Sequence, residues 1–238
     1  LIDHAKEMKA HGFAVLPGWM PPSWSERLVA GLDALWRDRP GQKRLMPHEP
    51  FVELLAGSLL DRLVAPVLAQ DYLFHHANGK RITDGAGKPW HHDYDGHEPW
   101  DGRLATMMIH VMVYPNGVAA DNGPLLLRPG THRVAVPRHQ PNQQEYAIRA
   151  GDVTVTGPPG TVVLLNSAMW HMRPPCRVDR PRHYLNYSFI GPAAVPRPER
   201  EEYTQLLAEL PAAAPAGPQR QRLARLCRAH RTEVGADV

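Results

Sequence analysis

From residue 72 to about residue 190, Gly and Pro signals cut the chain into short apolar segments. Such a chain cannot be a helical bundle through this region. It predicts an all-β sandwich or barrel. The expected strands are 72–77, 88–94, 104–114, 124–128, 152–156, 161–165, 169–173 and 183–190. About eight strands suit a mainly β, double-sheet jelly roll, the double-stranded β-helix of the cupins. Pro115-Asn116-Gly117, Asp121-Asn122-Gly123-Pro124 and Arg128-Pro129-Gly130 lie between them. Asn-Gly pairs favour tight turns because both residues tolerate positive φ.

The flanks read as helical. Residues 2–11 form a helix ending at Gly12, and Phe13-Ala14-Val15-Leu16 is a short strand. Pro21-Pro22-Ser23 opens a second helix, with Ser23 as N-cap and Glu26 completing a capping box. Leu28, Val29, Leu32 and Leu35 face its core side. A helical period runs again from Phe51 to Leu68. These N-terminal helices are expected to pack on one sheet. Residues 198–209 read as helix, 211–218 as an Ala/Pro linker, and 219–231 as an Arg-rich helix. That last helix either docks Leu223 and Leu226 on the body or touches an anionic surface. The expected organisation is one jelly-roll domain over residues 1–192 and a short helical C-terminal extension over 193–238.

Composition narrows the class. The chain has 238 residues and 43% apolar content, enough to bury a core. A formal charge of only +3 gives no reason to expect nucleic acid. Cys176 and Cys227 are far apart and follow no metal-binding pattern, which favours a reducing compartment. No run approaches transmembrane length, and the N-terminus lacks a signal-peptide core. A cytoplasmic protein with a small-molecule substrate and no membrane insertion is expected; the oligomeric state is open. The chain opens on Leu1 rather than Met, as expected of a segment from a longer protein.

The chemistry centres on Trp90-His91-His92-Asp93. On a strand, residues i and i+2 point the same way, so His91 and Asp93 would enter one cavity together. Two His and one carboxylate form the facial triad of non-haem Fe(II) oxygenases. His92 is the competing ligand, but only His91 has an Asp two residues on. Trp170-His171 follows about 80 residues later at the end of another strand. Arg182 comes eleven residues after His171, with Arg180 as its nearest competitor. A fork on the last strand could bind a carboxylate in that cavity.

In this order the segments resemble the phytanoyl-CoA dioxygenase-like family of Fe(II)- and 2-oxoglutarate-dependent oxygenases. Gly12-Phe13-Ala14-Val15-Leu16, the Glu26–Leu35 helix, Trp90-His91-His92-Asp93, the turn-and-strand stretch Asn122-Gly123-Pro124-Leu125 to Pro129-Gly130-Thr131-His132, Trp170-His171 and Arg182 carry the resemblance. It implies that His91, Asp93 and His171 bind iron, and that Arg182 pairs with the distal carboxylate of 2-oxoglutarate. The co-substrates implied are 2-oxoglutarate and O2. Two positions depart from the family. Arg173 stands where many members have a small or hydroxyl residue, and His92 where many have Gln. Both could touch the co-substrate, and Arg173 could instead reach the substrate.

The implied reaction is hydroxylation or oxidative cyclisation. Asp93 argues against halogenation, since the family's halogenases lack that carboxylate. The polar, aromatic stretch Tyr94 to Arg103 reads as a loop over the cavity mouth. It suits a small polar, sugar-like natural product, as in antibiotic biosynthesis. The alternatives are hydroxylation of a fatty acyl or other lipid-like substrate, a cupin-like metalloenzyme that uses no 2-oxoglutarate, and a non-catalytic jelly-roll metal-binding protein.

Overall fold

A computed structural model describes residues 3–41, 44–83, 85–93, 107–134, 146–175, 181–194, 204–213 and 217–228. Its central strand, β4 (Met108–Tyr114), is buried at every position. That happens because both of its faces are covered. Ile109, Val111 and Val113 join a core cluster with the helices, whereas Met112 and Tyr114 join a second cluster on the opposite face. His110 lies on that second face by strand alternation.

The other strands are β1 (Phe13–Leu16), β2 (Leu73–Ile82), β3 (Lys88–His91), β5 (Leu125–Leu127), β6 (Val153–Val155), β7 (Thr161–Asn166), β8 (His171–Arg173) and β9 (Arg182–Ile190). They form two antiparallel sheets in the orders β1-β7-β4-β9-β2 and β3-β8-β5-β6. One apolar cluster joins β4 and β7 to β5 and β6, so the sheets meet face to face there. Toward β9 and β2 the inner face turns polar, and a cavity opens between the sheets.

Helices cover the outer face of the five-stranded sheet. These are α1 (His4–His11), α2 (Pro22–Asp38), α3 (Phe51–Ala56) and α4 (Asp61–Leu68). The first packs on β1 and β7, and the second on β2. Gly12 ends α1 in the left-handed region, φ 86°, where its N–H reaches Met8 O. A side chain at Gly12 would also run into the buried His132 ring, so both conformation and space require glycine.

Several expected boundaries move. The α2 helix has Pro22 at its first position and no side-chain cap, so Ser23 lies inside the first turn rather than capping it. Proline suits that position because its missing N–H would be unpaired anyway. The 51–68 period is two helices, separated at Gly57, that bury their leucines in one core cluster. The β2 strand runs on to Ile82, well past residue 77, because polar Asn78 and Lys80 face a cavity rather than water. Tyr94 to Arg103, Cys176 and Arg180 lie outside the described residues.

At the C-terminus, α5 (Thr204–Ala213) and α6 (Pro218–Leu226) pack on each other, and α6 reaches α3 and β2. Thus α5 runs into the stretch expected as linker. Leu223 and Leu226 are buried in the main core cluster with Leu207, Leu210 and Cys227. Three arginines here reach the body. Arg222 pairs with Asp61, Arg225 donates to Gln70 O at 3.1 Å, and Arg228 donates to Asp71 O at 3.2 Å. Among the described residues, no helix is long and apolar enough to cross a membrane.

Two stability effects follow. Leu223→Ala removes a fully buried side chain and should cost about 2–5 kcal/mol in urea unfolding, while Gln221→Ala on the exposed side should stay within about 0.5 kcal/mol. The second effect concerns Asp33 on α2, which bonds Arg81 of β2 at 2.8 Å and His183 of β9 at 2.9 Å. Burial pushes its carboxyl pKa up, but the hydrogen bonds from His183 and Arg81 outweigh it and hold the group below its ordinary value. A depressed carboxyl stabilises the fold above its unfolded pKa of about 4, and that contribution fades as pH falls through the folded value. The stability gap between wild type and Asp33→Asn should therefore be full at neutral pH and close in acid below pH ~4. Unfolding curves from neutral to acid pH check this.

Candidate metal centre

The β3 and β8 strands pair antiparallel, with His91 opposite His171. Two histidines 80 positions apart in sequence thus become cross-strand neighbours, their rings 4.1 Å apart and inclined at 54°. Each ring is oriented in the same way. His91 Nδ1 lies 2.7 Å from Pro89 O, and His171 Nδ1 lies 2.9 Å from Met169 O. A carbonyl only accepts, so each Nδ1 carries the proton and each Nε2 presents a lone pair. Both Nε2 atoms face the Asp93 carboxylate. His91 Nε2 is 3.7 Å from Oδ1 and His171 Nε2 is 3.4 Å from Oδ2.

Asp93 arrives there by a route other than strand alternation. The β3 strand stops at His91, and Asp93 sits in a bend beyond it. Its N–H donates to Ser167 O at 2.9 Å, and Ser167 N–H in turn donates to Met108 O at 3.0 Å. The loop after β7 therefore holds the carboxylate against the histidines. One ligand atom from each of His91, Asp93 and His171 lies within 4.8 Å of the others.

Three acceptors converging in a buried place repel one another unless a cation sits among them. His91 Nε2 is buried without a hydrogen-bond partner. Burial, then the neighbouring His171, pushes the His91 pKa down to about 2, so it stays a neutral ligand. Burial pushes the Asp93 pKa up, but hydrogen bonding and charge from its neighbours, His110 among them, hold the group well below its ordinary value, keeping it anionic. Metal–ligand bonds of about 2.1 Å would draw such atoms to about 3 Å apart, from His–Asp93 separations of 3.4–3.7 Å and a cluster within 4.8 Å. Two imidazoles and one carboxylate are the donor set suited to Fe(II) with open positions. The residues fit a metal of that kind.

The site opens on a cavity of about 410 Å³. Arg182 enters it from the start of β9, only 4% exposed, with its guanidinium 5.1 Å from the Tyr114 ring and 6.0 Å from the Tyr184 ring. Its Nε has no hydrogen-bond partner, and among the described residues no carboxylate pairs with it. A buried cation left in that way is costly, so its place favours an anionic ligand. Burial raises the pKa of both tyrosines, which remain neutral phenols.

Arg173 also lines the cavity, two residues past His171 and opposite Lys88. His92 does not line it. Its ring meets Trp170 edge-on, 4.9 Å away, so this placement gives no support to a co-substrate contact. Sequence reasoning missed His110, Asn186, Ser188, Asn78, Lys80 and Arg44. The signal was present for three of them. His110 interrupts a strand of apolar residues, and Asn186 and Ser188 alternate with apolar residues on β9. Polar groups at one parity of a buried strand mark a wet or functional face.

The phytanoyl-CoA dioxygenase (PhyH) family model matches residues 8–184. The chain belongs to this family. The dioxygenase lolE1 of Epichloe uncinata is 28% identical over 156 residues, covering 64% of this chain and 58% of that protein. The chain therefore spans less than two thirds of that relative's length. Among solved structures, the fold is similar to HygX from Streptomyces hygroscopicus with nickel and 2-oxoglutarate bound, at TM-score 0.65 and 18% identity over 79% of this chain and 86% of that one. It is also similar to EctD from S. alaskensis with 2-oxoglutarate and 5-hydroxyectoine, at TM-score 0.63 and 23% identity over 82% and 80%. A third is the non-heme alpha ketoglutarate dependent epimerase SnoN from nogalamycin biosynthesis, at TM-score 0.67 and 14% identity over 82% and 85%. At these identities the structures speak to the fold of the family domain.

Calorimetric titration with Mn(II) tests the ligand set. His91→Ala, Asp93→Ala and His171→Ala should each abolish specific binding, whereas His92→Ala should retain it.

Proposed function

We propose that the protein is an Fe(II)- and 2-oxoglutarate-dependent dioxygenase acting on a small polar, sugar-like substrate. The observation that carries this reading is the convergence of three metal-ligand acceptors and a buried arginine on one cavity. Family membership supports it, as do similar proteins solved with iron, nickel or 2-oxoglutarate. The sheet orders support a double-stranded β-helix, whose two sheets supply the ligands and the clamp.

In this reading His91, Asp93 and His171 hold the metal, and Arg182 binds the distal carboxylate of 2-oxoglutarate as a fork. Iron, 2-oxoglutarate and O2 together supply the oxidation of an unactivated C–H bond, with succinate and CO2 as by-products. The protein's own residues orient and exclude. The Nδ1–H bonds to Pro89 and Met169 keep both imidazoles turned inward. Tyr114 and Tyr184 cover the guanidinium of Arg182 with aromatic faces and limit its hydration.

Arg173 lines the same cavity and is part-exposed where Arg182 is buried. We assign it to the substrate or to a secondary contact with the co-substrate. The remaining lining favours a polar substrate over an acyl chain. Arg44, Asn78, Lys80 and Asn186 line the wall alongside a few apolar residues, Met112, Leu125 and Met172 among them. An acyl chain lying against those polar and charged groups would displace their water without offering a hydrogen bond in return.

Oxygen uptake and succinate release with Fe(II) and 2-oxoglutarate test the reading. Truncating the buried clamp in Arg182→Ala should cost 2-oxoglutarate about 2 kcal/mol or more, a rise in KM of roughly 30-fold or above. Arg182→Lys keeps the charge but loses the fork and should fall between. Arg173→Ser should raise that KM less than Arg182→Ala does. Succinate release that is unchanged in Arg182→Ala would sink the assignment.

A further inference from the structure

We propose that His110 is a positioning residue: its Nε2–H donates to Asp93 Oδ2 and sets the orientation in which that carboxylate meets the metal. This rests on the metal-centre reading above. His110 sits in the middle of β4, on the sheet opposite His91 and His171, and is 1% exposed. Its Nε2 is 3.4 Å from Asp93 Oδ2, the same distance at which His171 Nε2 meets that oxygen. It lies outside the cluster of mutually close ligand atoms, so it touches the ligand set through Asp93. A contact of 3.4 Å is long for an N–H···O bond, as contacts around a ligand site often are before the ligand draws them in.

The groups behind His110 decide which ring nitrogen carries its proton. His110 Nδ1 is 2.8 Å from Ser188 Oγ and 3.3 Å from Asn186 Nδ2. The Asp93 carboxylate facing Nε2 only accepts, and the Asn186 amide nitrogen at Nδ1 only donates, so Nδ1 accepts and the proton is on Nε2. The rest of the network agrees. Ser188 Oγ lies 3.2 Å from His76 Nε2, and His76 Nδ1 lies 2.7 Å from His75 Nδ1. One direction satisfies each of these contacts: His75 Nδ1–H to His76 Nδ1, His76 Nε2–H to Ser188 Oγ, Ser188 O–H to His110 Nδ1, and His110 Nε2–H to Asp93. Asn186 Nδ2 also approaches Ser188 Oγ at 3.3 Å, as a second donor to the same chain. All of these residues are buried. A row of donors from β2, β9 and β4 thus ends on the carboxylate.

Asp93 has reason to need such a partner. It stands in a bend past the end of β3, where its backbone N–H bonds Ser167 O. The terminal torsion of a carboxylate is broad and soft. A donor fixed on Oδ2 chooses one rotation, while Lys88 Nζ lies 3.8 Å from Oδ1 on the other side. Ligands held by such outer partners lose roughly 10–100-fold in metal affinity when the partner is removed.

Gln and Met have nearly the same shape, and only Gln can donate. The experiment compares His110→Gln with His110→Met in Mn(II) calorimetry, alongside the absorption spectrum of the Co(II)-loaded proteins. The Met variant should bind Mn(II) roughly 10–100-fold more weakly than wild type and show an altered Co(II) spectrum. The Gln variant should recover most of both. A packing role alone would not separate the two. Equal affinities and equal spectra for the pair, with wild type binding Mn(II), overturn the role of His110 and leave the metal centre standing. Wild type that binds no Mn(II) overturns the metal centre and this inference together. Should the Met variant fail to fold, ring-nitrogen NMR of wild type decides. Protonation of His110 at Nε2 supports the proposal, and protonation at Nδ1 overturns it.

Discussion

The cross-strand pairing of His91 with His171 is the contact on which the site depends. It joins two short strands of the smaller sheet and places two imidazoles side by side, their rings inclined at 54°. Each ring is then turned by a bond to the carbonyl two residues before it. With both protons committed to the backbone, both free lone pairs point at Asp93. The result is a cluster of acceptors that a cation would relieve. A slip of one residue in either strand would send one histidine to the other face.

The larger sheet does a different job. Its outer face is apolar and carries the helices, while its inner face changes character from one side to the other. Toward β1 and β7 it packs on the small sheet through Val163 and Leu165. Toward β9 and β2 it presents Arg182, Asn186, Lys80 and Asn78 to the cavity. Alternation makes this possible, because β9 can bury Leu185, Tyr187 and Phe189 under the helices while offering its other residues inward. The bond pair from Asp33 to Arg81 and His183 fastens α2 to the same strands from behind.

Much of this was legible along the chain. Gly and Pro punctuation marked nearly every strand, and apolar periods marked the helices. The pair His91 and Asp93 stood out by spacing. The reason offered for their meeting was incomplete, since the strand ends at His91 and a bond to Ser167 brings Asp93 in. His92 drew notice as a neighbour of the motif, yet its ring lies against Trp170. His110 drew none, although a polar residue interrupting an apolar strand was a signal; nothing local says what such a residue faces. Asn78 and Lys80 were lost with the end of β2, where polar residues look like a turn when the cavity they face is unseen.

Local chemistry was therefore determined by the sequence alone: strand and helix content, the motif at residues 90–93, the second histidine and the arginine eleven residues after it. Those depend on periodicity, turn propensity and short spacings, which are properties of neighbouring residues. Which acceptors meet, which ring nitrogen is bare, and that His110 stands behind Asp93 were decided by tertiary structure. Sheet order and register set those contacts between residues tens of positions apart, and no short-range pattern encodes a distance across two facing sheets.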